Sequence, residues 1–168
     1  ITQKYDDIDF VHIKTKNYHN NGLVRIYALL QFAIRIFLLR NKFKKPDIII
    51  HTAQVPFENL MYYLAKKLKA KFISEVLDLW PESFVAYGLI KRKNPFLKLA
   101  YKTEKWLYKK SDKIIFSMEG GKDYIIDQGW DKEHGGPIDL DKVYYINNGV
   151  DLKDFNFNKN NYVIEDDD

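Results

Sequence analysis

Asp78-Leu79-Trp80-Pro81-Glu82-Ser83 puts two carboxylates, an indole and a hydroxyl into six residues, with a proline among them. A strand-like run, 71–76, comes directly before it. In an open parallel α/β sheet, the loops at the carboxyl ends of strands face the ligand crevice, so a polar and aromatic cluster in that position is a candidate site. The plainer reading is structural: Asp78 caps a following helix, and Pro81 sits near its first turn.

Other residues with chemistry to offer lie at comparable places. His51 and Thr52 close the apolar run Ile48-Ile49-Ile50. A histidine there fits a hydrogen-bonded structural group better than a base. Ser117 follows the run 113–116 and is placed to cap a helix over 118–128. Gly120-Gly121 would weaken the first turn of that helix, yet its backbone amides are also placed to meet an anion. Glu104 lies among lysines on a helix pattern, where an i,i+4 salt bridge is the simple expectation. Asn148-Gly149, read alone, suits a type I′ hairpin turn.

Several chemistries are excluded. There is no cysteine, which removes disulfides, thiol catalysis and cysteine–zinc sites and makes a reducing cytosol the simplest compartment. The four histidines are far apart, without metal-ligand spacing, so no metal site is expected. The dinucleotide fingerprint G-x-G-x-x-G, the P-loop G-x-x-x-x-G-K-[ST] and the nucleophile elbow G-x-S-x-G are all missing. The formal net charge of +4 is mild and reads as solvated lysine surface, with weak attraction to phosphate or anionic lipid as the sharper alternative.

The elements that must position these groups follow from hydrophobic patterning. The chain of 168 residues is 46% apolar and 15% aromatic, enough for one domain with a real core. A short strand is expected over 8–13. A long helix is expected over 23–45, with Arg25, Gln31, Arg35 and Lys42 on one narrow polar stripe. Burial between sheet and helices is its default, and contact with a membrane surface the alternative. Arg25 and Arg35 argue against a transmembrane span, since an arginine at the bilayer centre costs about 2.5–3.5 kcal/mol. The run at 48–50 predicts a parallel strand buried on both faces. A helix over 57–69, the strand 71–76, a helix from Asn94-Pro95 to about residue 110 and strands over 113–116 and 143–146 complete the alternation. Strand and helix in turn imply a Rossmann-like parallel sheet with right-handed crossovers. The polar, acidic tail 156–168 reads as a linker, and a start at Ile1 leads to the expectation of a piece of a longer protein.

Several pieces recur in a telling order: Pro46-Asp47-Ile48-Ile49-Ile50, the Asp78–Ser83 segment, Glu104 through Asp112, Ser117, and Ile146-Asn147-Asn148-Gly149-Val150-Asp151 with Phe155 after it. Together they resemble the N-terminal domain of family 4 glycosyltransferases, most closely the bacterial polysaccharide enzymes that carry a D-L-W-P-E-S segment. The resemblance spans about 8–155. It implies one half of a two-domain GT-B fold, with residues 1–155 as a partial acceptor-binding domain. The nucleotide-sugar donor would be held by a second domain after the linker. It also implies retention of anomeric configuration, no metal or other cofactor, and a first βαβ portion that would precede residue 8 and is not matched. Asp78, Trp80, Glu82 and Ser83 become cleft-lining residues on this view, with His51, Thr52, Ser117 and Gly120 as further substrate-side groups. Asn148 and Gly149 move from a hairpin to the neighbourhood of the interdomain crossing, and Glu104 becomes a structural tie. Where many relatives have a histidine just before the aspartate matched to Asp78, this chain has Leu77. The role of that histidine therefore does not carry over, and Asp78 is left as the best catalytic candidate. The implied partners are a nucleotide-sugar donor and a saccharide or lipid-linked acceptor, with no nucleic acid. The implied location is cytoplasmic, peripheral at the inner membrane face. The rival readings are another nucleotide-binding Rossmann domain and a non-catalytic flavodoxin-like interaction domain.

Overall fold

A computed structural model describes residues 2–19, 22–53 and 57–162. Four parallel strands form its sheet: β3 (Ile48–Ala53), β4 (Lys71–Val76), β5 (Lys113–Phe116) and β6 (Val143–Tyr145), side by side in sequence order. The helices are α1 (Leu23–Leu39), α2 (Asn59–Leu68), α3 (Glu82–Ala86), α4 (Pro95–Lys110), α5 (Gly121–Asp127) and α6 (Leu152–Asn161). The expected Rossmann-like α/β layering is present.

The strand expected near residue 8 belongs elsewhere. Ile8–Val11 (β2) pairs antiparallel with Thr2–Tyr5 (β1), a strand the patterning missed, in a separate two-stranded ribbon. All eight residues are exposed, so no burial period existed to reveal β1.

Register explains where the core sits. Paired residues in a parallel sheet project to the same face. Ile49 pairs with Phe72, Val76 with Phe116 and Ile114 with Val143. These residues belong to the two apolar clusters, one gathered around α1 and α2 and the other around α4 and α5. The opposite face carries Ile48 at 53% exposure and Ile50 at 60%. The expectation that β3 is buried on both faces is therefore corrected for this strand. The physical reason is topological. Strand order rises monotonically from β3 to β6, and right-handed crossovers stepping in one direction put every connecting helix on one side.

The long first helix also differs from its expectation. It stops at Leu39, and a 3-10 turn, Arg40–Lys42, replaces the last turns expected up to residue 45. Only Ala28 and Ala33 are buried, while Leu23 is 83% and Leu38 67% exposed. Its polar stripe does have a function in the fold: Gln31 accepts the Lys16 amide at 2.8 Å and Arg35 donates to the Lys14 carbonyl, which lays the 14–16 loop along the helix.

The last helices show how local chemistry sets boundaries. Asn94 caps α4 by accepting the Phe96 amide at 2.8 Å, and Pro95 occupies its first turn, as the Asn-Pro pair predicts. Lys142 seals the other end, donating to the carbonyls of Tyr108, Lys109 and Ser111 at 2.7, 3.0 and 2.8 Å. Those are among the carbonyls a helix end leaves without partners. Asp151 caps α6 by accepting the Lys153 amide at 2.8 Å, so Asn148-Gly149 leads into a helix and the hairpin reading is corrected. Residues 156–161, expected as linker, belong to that exposed helix, and 163–168 lie outside the described residues.

Candidate functional site

The carboxyl end of β4 delivers the Asp78–Ser83 segment to a cavity of about 390 Å³. Asp78 and Trp80 line one wall. Phe57, Asn59 and Leu60, around the start of α2, line another, and Phe96, Leu99 and Thr103 of α4 a third. Glu104 and Tyr108 also reach it. Asp78 is exposed, whereas Trp80 is half-buried with its ring edge-on to Phe84 at 6.2 Å. The Asn59 side-chain oxygen is buried without a hydrogen-bond partner among the described residues. A buried, unpaired carbonyl oxygen is costly and is satisfied by a donor that a ligand or water supplies.

Asp78 does not cap α3. That helix begins after Pro81 without any side-chain cap, and the Trp80–Pro81 peptide is cis. The carboxylate of Asp78 is therefore not consumed by the helix that follows it.

Glu82 sits differently. It pairs with Arg92, accepts the Tyr101 hydroxyl at 2.5 Å and receives Gln128 at 3.3 Å. Both of its oxygens are engaged, and together they tie α3 to α4 and α5. Ser83 turns its hydroxyl back to the Leu79 carbonyl at 2.8 Å, inside its own turn.

The other expected substrate-side residues, His51, Thr52, Ser117, Gly120, Asn148 and Gly149, do not line this cavity. His51 faces a second cavity of about 270 Å³ between β3, α1 and α2. It stacks on Phe72 with ring centroids 6.2 Å apart, and its Nε2 has no partner among the described residues. It is therefore not the hydrogen-bonded histidine expected. Burial depresses its pKa to about 4, which keeps the ring neutral near pH 7. Thr52 donates to Glu75 at 2.7 Å on the other face of the sheet. Ser117 ties the end of β5 to the Val76 carbonyl through its amide at 3.1 Å. It does not cap α5, whose N-cap is Gly120 at φ +82°. Asp123 already places a negative charge in the first turn of that short helix, which disfavours an anion there. Asn148 and Gly149 are exposed on the way to α6.

Glu104 is the group whose setting sequence patterning misjudged. It is buried, and among the described residues it forms no salt bridge. It accepts the hydroxyls of Tyr108 at 2.9 Å and Tyr124 at 2.8 Å. Burial pushes its pKa up to about 8, against the downward pull of the two tyrosine bonds. The salt-bridge expectation is corrected, and a tie between α4 and α5 takes its place. The wall formed by Phe96, Leu99 and Thr103 was also missed. Its i, i+3, i+7 spacing was visible beside the core stripe of Leu97, Ala100 and Glu104.

Among the described residues, no group of three or more histidine, aspartate or glutamate side chains is placed to hold a metal ion. The arrangement offers an acidic acceptor and an indole at the mouth of a largely apolar cavity, with buried polar groups deeper in.

The profile of glycosyltransferase family 4 matches residues 2–154. The chain belongs to glycosyltransferase family 4. Within that family, the four-stranded parallel sheet with its helices is the Rossmann-like layer on which a GT-B half-domain is built. The cavity beside Asp78 lies at the strand-end position where open α/β sheets take ligands. No curated protein and no solved structure is similar enough to the chain to match it.

Proposed function

We propose that this family 4 domain is the acceptor-binding half of a retaining bacterial glycosyltransferase, a hexosyltransferase of the D-L-W-P-E-S type. It would transfer a sugar from a nucleotide-sugar donor to a saccharide or lipid-linked acceptor in surface polysaccharide synthesis. The observation that carries this reading is the projection of Asp78 and Trp80 from the end of β4 into one cavity wall. Asp78 accepts hydrogen bonds from acceptor hydroxyls, and Trp80 packs beside a sugar face or shapes the loop.

Transfer develops oxocarbenium character on the sugar and negative charge on the leaving diphosphate. The acceptor half contributes orientation, and the donor half supplies most of the charge stabilisation. No metal or other cofactor is required on this reading. Proton removal from the acceptor falls to the leaving phosphate, because Leu77 occupies the position where many relatives carry a histidine. The enzyme works in the cytoplasm, peripheral to the inner face of the membrane. Among the described residues no helix is long and apolar enough to cross a membrane.

In the catalytically complete enzyme, Asp78→Ala raises acceptor KM or cuts kcat by about tenfold or more, the loss of one charge-assisted hydrogen bond. Near-wild-type acceptor kinetics would sink the assignment. The 168 residues alone transfer no sugar, and measurable turnover by them would overturn the half-enzyme reading.

A further inference from the structure

Between α3 and the middle of α4 the surface changes character. Residues 83–103 contain no aspartate or glutamate but five cations: Lys91, Arg92, Lys93, Lys98 and Lys102. Tyr87 is 80%, Leu89 68%, Phe96 56% and Leu99 62% exposed in the same stretch. Arg92 is taken by Glu82, whereas the four lysines have no acidic partner among the described residues.

The exposure is built in. After α3 the chain turns at Gly88, φ +69°, and the amides of Leu89 and Ile90 both donate to the Phe84 carbonyl at 2.9 and 3.2 Å. The Glu82–Arg92 pair closes the other side of the connector. Tyr87 and Leu89 are thereby held outward instead of folding onto the core. On α4, Phe96 and Leu99 flank the buried stripe, and Lys98 and Lys102 lie on the solvent side next to them. Aromatic and aliphatic side chains beside lysines are the pattern of a surface that sits in a bilayer interface, with apolar groups below the headgroups and ammonium groups among anionic lipids.

We infer that the 87–94 connector and the first two turns of α4 form a docking surface for an anionic phospholipid bilayer. Phe96 and Leu99 also line the Asp78 cavity, so the cavity opens beside the docked surface. This inference rests on the peripheral placement proposed above and names the surface responsible. It moves the contact away from α1. That helix is more apolar, but its stripe residues Gln31 and Arg35 are occupied by the 14–16 loop and its exposed face lacks a comparable row of unpaired cations.

Vesicle co-sedimentation tests it, comparing vesicles containing phosphatidylglycerol with vesicles of phosphatidylcholine alone. The protein should sediment with the anionic vesicles, and added salt should weaken the binding. Reversing Lys91, Lys93 and Lys98 to Glu should lower partitioning at least about fivefold per lysine. The pair Tyr87→Ser and Leu89→Ser should lower it roughly tenfold or more. All five positions are exposed, and an unchanged thermal melt confirms folding. Equal binding to both vesicle types, or no binding, overturns the proposal. So does loss of binding in Leu23→Ser with Leu38→Ser on α1 while the connector variants still bind. Transfer to a water-soluble acceptor by the complete enzyme is the separate readout: its retention without vesicle binding sinks this surface and leaves the glycosyltransferase reading standing.

Discussion

Tyr124 donates its hydroxyl to Glu104 across 2.8 Å and so joins α5 to α4 inside the core. Tyr108 completes the arrangement from the next turn of α4 at 2.9 Å. A carboxyl group is thus buried between two tyrosine hydroxyls, and its protonation becomes coupled to folding.

The sign of that coupling follows from the raised pKa. The folded protein holds the Glu104 proton up to about pH 8, while an unfolded glutamate releases it near 4.5. This stabilisation is fully present below about pH 4.5 and is lost as pH rises to about 8. His51 acts in the opposite sense, because its pKa falls from 6.5 to about 4; its stabilisation is present above 6.5 and lost as pH falls. Between pH 6.5 and 8 the His51 contribution is flat while the Glu104 slope continues. Stability should fall there by about 2 kcal/mol, or roughly 5 °C in Tm. Glu104→Gln should flatten the profile over that range. A wild-type Tm that does not move between pH 6.5 and 8 would refute this account.

Glu82 should behave as a structural hub. Glu82→Ala leaves Arg92, Tyr101 and Gln128 without their shared acceptor and is expected to cost about 2 kcal/mol. Arg92→Ala should cost under about 1 kcal/mol, since the Arg92 side chain is 61% exposed. Faster amide exchange over 79–90 in the Glu82 variant would show that α3 has come loose, and unchanged exchange would show that it has not.

Lys142 holds the end of α4 through three carbonyls, and its charge also complements the negative end of the helix dipole. Lys142→Met keeps much of the stem but removes every one of these bonds. Urea unfolding should show a loss of about 2 kcal/mol. A midpoint equal to wild type would mean that water replaces the ammonium group without penalty.

Gly121 has no room for a side chain, because a Cβ built there would lie 2.2 Å from the Phe116 ring. Gly121→Ala should therefore destabilise the protein by roughly 1–3 kcal/mol through overpacking. Gly149 has nothing within 4 Å of the same position and supplies the control. Equal melting temperatures for the two variants would remove the packing argument.

The Asp78 cavity was only half legible before folding. Asp78 and Trp80 could be singled out because a polar and aromatic cluster at a strand end is a local signal. Glu82 looked equivalent within the same six residues, yet its three partners come from positions 92, 101 and 128. No local spacing shows those contacts. Asn59 and Phe96 were not anticipated either, because they meet Asp78 only after α2 and α4 cross over the same side of the sheet.

By itself the sequence determined the alternation of strand and helix from β3 to β6, the Asn94 cap, the absence of thiol chemistry and the motifs that mark family 4. Period, capping and composition act over a few residues, so they survive without a fold. The tertiary structure alone decided which face of the sheet is covered, which acidic residues are occupied, and which apolar side chains of α4 stand beside the cavity. These are questions of non-local distance, and only the crossovers between parallel strands set those distances.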